Sequence, residues 1–219
     1  MKNIKAAIFD VDGTLIDSMQ LWDNGVLDYL IDRKKTPQPN LYDELREFGG
    51  HDTAKYLKKN YDLQETELKI ETELVEMITR RYEENAPLKD GALETLILLK
   101  ERGIKMCAAT ASERVMVEPT LERLGILGYF GRIFTCTEEN TSKSKPDIYI
   151  KCAEFLGTEI SETLVFEDAL YAVKSAKKGG FPVVGLYDFT SDADQPEIIK
   201  LADYYYTSLL DFVEEFSEK

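Results

Sequence analysis

Apolar and polar positions follow two different rhythms along the chain. Residues 4–9 form a short apolar run with turn residues directly behind it, which predicts a buried strand whose carboxyl end is Asp10. From 18 to about 86 the chain is rich in Leu, Glu, Lys, Asp and Tyr, with apolar residues at helical spacing and no convincing strand. Leu68, Glu71, Leu74, Val75, Ile78 and Tyr82 show the three-and-four spacing of an amphipathic helix. Pro37 and Pro39 separate one helix from the next, Gly49 and Gly50 separate another, and Pro87 closes the segment.

Behind Pro87 the pattern alternates. Helices are predicted over 91–102, 113–124 and 146–157, with a further one ending at Gly179 and one at the C-terminus. Strands are predicted over 104–109, 133–136, 163–166, 182–186 and 204–207. Repeated strand-helix alternation implies a parallel sheet with helices on both faces. The expected fold is therefore α/β: a doubly wound, Rossmann-like core from 1–16 and 87–219, with an α-helical subdomain, 17–86, inserted after the first strand.

With 219 residues the chain can bury one good-sized core, and 43% hydrophobic with 31% charged residues is the balance of a globular protein. The formal charge of −14 repels polyphosphate backbones and anionic lipid surfaces, which argues against nucleic acid and membrane partners. No apolar run approaches the roughly 20 residues that span a bilayer, and the run before Asp10 is too short for the h-region of a signal peptide. Cys107, Cys136 and Cys152 match no metal or redox spacing and read as reduced, buried thiols, so a cytoplasmic location is expected.

Ligands of open α/β sheets bind outside the carboxyl ends of the strands. Polar groups collect there: Asp10 and Asp12 after the first strand, Thr110 after the second, Lys143 and Lys145 ahead of the Pro146 helix, and Glu167 with Asp168 after a later one. Each alone could be a helix cap or a solvated turn, but four at matching strand ends point to a site. Gly13 permits a sharp turn behind Asp12, and Asp168 would complete an oxygen-rich site of the kind Mg²⁺ prefers.

"FDVDGTLIDS", a strand ending in Thr110, a lysine ahead of "PDIY", and "VFEDALYAVKSAKKGG" resemble, in order, the four motifs of the haloacid dehalogenase-like superfamily. An insertion directly after the first motif resembles the branch with a helical cap, which includes sugar-phosphate phosphatases, phosphoglycolate phosphatase and β-phosphoglucomutase. The resemblance implies Asp10 as nucleophile forming an aspartyl-phosphate, and Asp12 as the acid that protonates the leaving oxygen and then activates water. It implies Mg²⁺ held by Asp10, the main-chain carbonyl of Asp12, Asp168 and Glu167, with Thr110 bonded to a phosphoryl oxygen and a lysine offsetting charge. Where the family often reads K-P-x-P-D, this chain reads "KSKPD", which places the lysine at Lys143 with Lys145 as the alternative. Ala169 and Ala172 stand where E-D-S-x-x-G would have Ser and Gly, leaving the carboxylates intact.

The remaining features carry less. His51, the single histidine, sits in "GGHD" between cap helices, as a solvated loop residue or a substrate contact. Trp22 reads as cap core, 204–206 as a strand with one packed face, 211–215 as a solvated acidic helix face, and Asp17 as a bystander where the insertion begins. The expected activity is Mg²⁺-dependent hydrolysis of a small phosphomonoester, a phosphorylated metabolite, by a monomer or weak homodimer, with a β-phosphoglucomutase-like phosphomutase as the alternative. A dehalogenase would need neither Asp12 nor the metal, and an idle phosphate-binding module would not need to keep Asp10 and Asp12.

Overall fold

A computed structural model describes residues 3–45 and 50–217, apart from the side chains of Trp22, Asp23, Tyr42 and Asp43. The expected packing of Trp22 and the helix break at Gly49 lie outside the described residues. The chain divides into two compact units, Met1–Asp17 with Pro87–Lys219, and Ser18–Ala86. Asp17 falls in the first unit, one residue later than the expected boundary, because its N–H donates to Pro87 O at 3.0 Å.

The first unit starts with β1 (Ala6–Phe9), and the second supplies α1 (Met19–Asp32), α2 (Leu41–Leu45), α3 (Gly50–Tyr61) and α4 (Glu67–Asn85). The first unit then resumes with α5 (Ala92–Glu101), β2 (Lys105–Thr110), α6 (Arg114–Arg123), β3 (Ile133–Thr135) and α7 (Asp147–Leu156). It ends with β4 (Thr163–Glu167), α8 (Leu170–Lys178), β5 (Val183–Leu186), α9 (Gln195–Leu201), β6 (Tyr204–Tyr206) and α10 (Leu209–Ser217). The sequence pattern does not predict α9. Its seven residues span barely two turns, too few for a periodicity, and only Gln195 and Ile198 are buried.

All strand pairs are parallel, in the order β3-β2-β1-β4-β5-β6. That is the doubly wound order, with its reversal at β1, where β2 lies on one side and β4 on the other. Register sorts the side chains: Ile8 stands beside Cys107 and Val165, and all three enter a core with Tyr149, Cys152, Val173, Ala176 and Ile198 from α7, α8 and α9. Phe9 and Phe166, one position on, point to the other face. There they stack at 4.3 Å, Phe166 meets Phe212 of α10 edge-on at 5.1 Å, and α10 packs on α5. Gly91, at φ 82°, lets the start of α5 meet α10, since a Cβ would run into the main chain at Leu209 and Leu210. The three cysteines are free thiols, all buried.

The helical unit has its own core of Tyr29, Leu30, Leu41, Ala54, Leu57, Tyr61, Leu63, Ile70 and Leu74. On α4 the buried stripe is Ile70, Leu74, Ile78 and Tyr82, whereas Leu68 and Val75, which the sequence pattern included, are exposed. The buried stripe steps by four throughout and starts at Ile70, which the sequence pattern does not include.

Phe212 is fully buried and touches the rings of Phe166, Tyr206 and Phe216. Phe212→Ala should therefore lower the free energy of unfolding by about 3–5 kcal/mol, read from urea denaturation followed by circular dichroism.

Candidate active site

Three strand ends and one loop build the site. Asp10 directly follows β1, and its N–H donates to Phe166 O of β4 at 3.0 Å, so the main chain of the neighbouring strand fixes its position. Glu167 is the last residue of β4 and Asp168 the next. Asp10, Glu167 and Asp168 are all buried, and each offers an oxygen within 4.8 Å of the others. Lys143 reaches the group from the loop between β3 and α7, with its side chain only 3% exposed. Its ammonium donates to Asp10 Oδ1 and, at 2.7 Å, to Glu167 Oε1. Lys145 is exposed. Of the two lysines, the structure brings only Lys143 among the carboxylates.

Electrostatics follow from the crowding. Burial, then Glu167, pushes the Asp10 carboxyl well above the usual range, with Lys143 opposing. Burial and Glu167 likewise push Asp168 up to about 7. Burial alone would lower Lys143, but Asp10 and Glu167 outweigh it and hold its ammonium above the ordinary lysine value. Three carboxylates around one ammonium leave excess negative charge in a dry site. Glu167 Oε1 also accepts from Tyr149 Oη at 2.7 Å, while its buried Oε2 has no hydrogen-bond partner. An orphaned carboxylate oxygen beside two further buried carboxylates fits a metal ion, and the all-oxygen donor set is that of a hard cation.

Gly13 lets these groups come together. Its φ is 79°, and a Cβ there would overlap the Asp168 carboxylate. Beyond it, Thr14 Oγ1 donates to Asp168 Oδ1 at 3.1 Å. Asp12 turns its carboxylate the other way: Oδ2 accepts from Ser112 Oγ at 2.7 Å and from Thr110 Oγ1 at 3.5 Å. Thr110 is fully buried, and its Oγ1 accepts from Ser112 N–H at 3.0 Å. His51 belongs to the helical unit, exposed on α3, where its Nδ1 lies 3.2 Å from Glu71 Oε2. Asp17 is exposed.

The site therefore holds two kinds of carboxylate. Asp10 is part of the metal-competent cluster, and Asp12 faces hydroxyls. This division, on the first strand of a 3-2-1-4-5-6 sheet, coincides with a match of residues 4–180 to the family model of haloacid dehalogenase-like hydrolases. The chain belongs to this family. It is an enzyme of the family's hydrolase type. Hexitol phosphatase B of Escherichia coli (strain K12) is 30% identical over 186 residues, covering 80% of each chain. Phosphoglycolate phosphatase of Agrobacterium fabrum is 28% identical over 200 residues, covering 88% of this chain and 84% of that one. A crystal structure from Thermotoga maritima, provisionally named a beta-phosphoglucomutase, superposes with a TM-score of 0.87 at 21% identity, over 98% of this chain and 99% of the other, and shares the fold.

Sequence reading within the family motifs missed Ser112 and Tyr149. Ser112 stands two positions past the end of β2, in "TAS", which was the available signal. Tyr149 reads as one more buried position of α7, and nothing local marks its hydroxyl.

Without a cation, Asp168 and Asp10 hold protons that an unfolded chain releases near pH 4. The contribution of Asp168 to stability is then complete below about pH 4 and lost as pH rises through about 7, and that of Asp10 is lost in the same direction. Protein stripped with a chelator should accordingly melt lower at pH 8 than at pH 5.5, and a divalent cation should raise the melting temperature more at pH 8, by at least ~3 °C. Differential scanning calorimetry at the two pH values checks both.

Proposed function

We propose that the protein is a Mg²⁺-dependent phosphatase of small phosphomonoesters, of the sugar-phosphate kind, working through an aspartyl-phosphate on Asp10. The observation that carries this reading is the division of labour after β1: Asp10 lies against Lys143, while the carboxylate two residues on is held by Ser112 and Thr110. The names of the hexitol and phosphoglycolate phosphatases support a small phosphorylated metabolite as substrate.

Asp10 attacks phosphorus and the bond to the leaving oxygen breaks. Asp12 supplies the proton that the leaving alkoxide needs, and then accepts one from the water that cleaves the aspartyl-phosphate, which regenerates Asp10. The hydroxyl of Ser112 keeps Asp12 aimed away from the cluster, so acid and nucleophile do not compete for one proton. Lys143 keeps Asp10 oriented and offsets charge gathering on the phosphoryl group, and Thr110, turning its single hydroxyl proton from Asp12, donates to a phosphoryl oxygen. Asp10, Asp168, Glu167 Oε2 and the main-chain carbonyl of Asp12 would hold Mg²⁺, which supplies the positive charge that lets a carboxylate approach a phosphate dianion.

Asp10→Asn should lower phosphate release from a sugar phosphate at least ~10³-fold with an unchanged circular dichroism spectrum, and full activity in that variant would refute the mechanism. Asp12→Ala should cost about 10²–10⁴-fold on an alkyl phosphate, but much less on p-nitrophenyl phosphate, whose leaving group needs no proton. Incubation with β-glucose 1-phosphate and a trace of the bisphosphate should yield free phosphate. Accumulation of glucose 6-phosphate instead would make the protein a phosphomutase.

A further inference from the structure

Outside the four motifs, one residue grips the turn that carries Asp12. Lys89, on the segment leading into α5, donates from Nζ to Gly13 O at 2.7 Å, to Asp188 Oδ2 at 2.8 Å and to Tyr187 O at 3.0 Å. Its main-chain N–H donates to Leu15 O at 2.9 Å. The turn after β1 is thus fastened by the same residue at two points. An ammonium has three protons, and all three are used here.

The acceptors are themselves fixed. Asp188 follows β5 with its side chain 1% exposed, and its Oδ1 accepts from Thr190 N–H at 3.0 Å and Thr190 Oγ1 at 2.6 Å. A surface lysine-carboxylate pair contributes little, but a pair whose carboxylate is buried is held firmly, because separation strands that charge. The strut therefore ties the Asp12–Gly13–Thr14 turn to the end of β5. On the turn's far side Gly13 abuts the Asp168 carboxylate and Thr14 Oγ1 bonds it.

We propose that Lys89 is a positioning residue for the metal-binding turn: by holding the Gly13 carbonyl against β5, it fixes the direction in which the Asp12 carbonyl and the Thr14 hydroxyl point. The proposal rests on the Mg²⁺ reading above. Lys89 touches neither substrate nor metal in this scheme, so its removal acts through main-chain order.

The test uses full-length protein with Lys89→Met, Asp188→Asn and the two combined. Mg²⁺ affinity is read by titration calorimetry, and amide exchange of the metal-free protein by mass spectrometry. In Lys89→Met, Mg²⁺ affinity should fall about tenfold, and the Gly13, Leu15 and Ile16 amides, which are bonded within the turn, should exchange faster while β4 and β5 keep wild-type protection. The double variant should stay weak, because Gly13 O still lacks its donor. Affinity within twofold of wild type in Lys89→Met would overturn the proposal, as would exchange that rises throughout the core in step with a lower melting temperature. Recovery of affinity in the double variant would also overturn it, by assigning the effect to the stranded Asp188 charge. Wild-type protein that binds no Mg²⁺ would remove the metal reading itself, and this proposal with it.

Discussion

A single buried ammonium separates the carboxylates at the carboxyl edge of the sheet. Lys143 donates to Asp10 and Glu167, which end adjacent strands, and Asp168 follows directly. Three carboxylates could not share this dry space unprotonated without a positive partner. Removing one member of such a buried set strands the others, typically at 3–5 kcal/mol, so the cluster constrains both stability and chemistry. Its crowding of carboxylates, with Glu167 Oε2 unpartnered, is an arrangement that could hold a cation.

The sheet makes that cluster possible. Because every strand runs parallel and the order reverses at β1, the loops after β1 and β4 open side by side. Apart from the exposed Lys105 that opens β2, the buried strands β1, β2 and β4 carry no charge ahead of their carboxyl ends; the site's polar chemistry begins there, at Asp10, Thr110 and Glu167. Glycine at 13 then lets the chain fold back tightly enough for Asp168 to fit beneath it. Around this centre lie the supports: Tyr149 on Glu167, Thr14 on Asp168, Ser112 on Asp12, and Lys89 on the turn itself.

Much of the fold was legible because it rests on periodicity. Every strand of the core and most of its helices show as apolar runs between turn residues, and the switch from helical spacing to alternation marks where the insertion ends. The failures are equally physical. The α9 helix is too short to repeat a pattern, and the exposed Leu68 and Val75 show that apolar residues at helical spacing need not all face inward. Among the candidate site residues, Asp10, Asp12, Glu167 and Asp168 could be picked out because local motifs place them at strand ends. Tyr149 and Lys89 could not, because their roles are hydrogen bonds to residues remote in sequence, Lys89 and Asp188 being 99 positions apart, and Ser112 had only its place just past β2 to mark it.

Sequence alone determined the alternating core, the helical insertion, the acidic strand ends and the order of the motifs, since each depends on spacing between near neighbours. Tertiary structure alone decided which of two nearby lysines turns inward. Spacing from Pro146 and Asp147 favours Lys143 but leaves Lys145 as an alternative; burial between Asp10 and Glu167 separates them. It also decided that Asp10 and Asp12 part company, one toward Lys143 and the other toward Ser112, because the partners that divide them arrive from β3, β4 and β2 only once the sheet has formed.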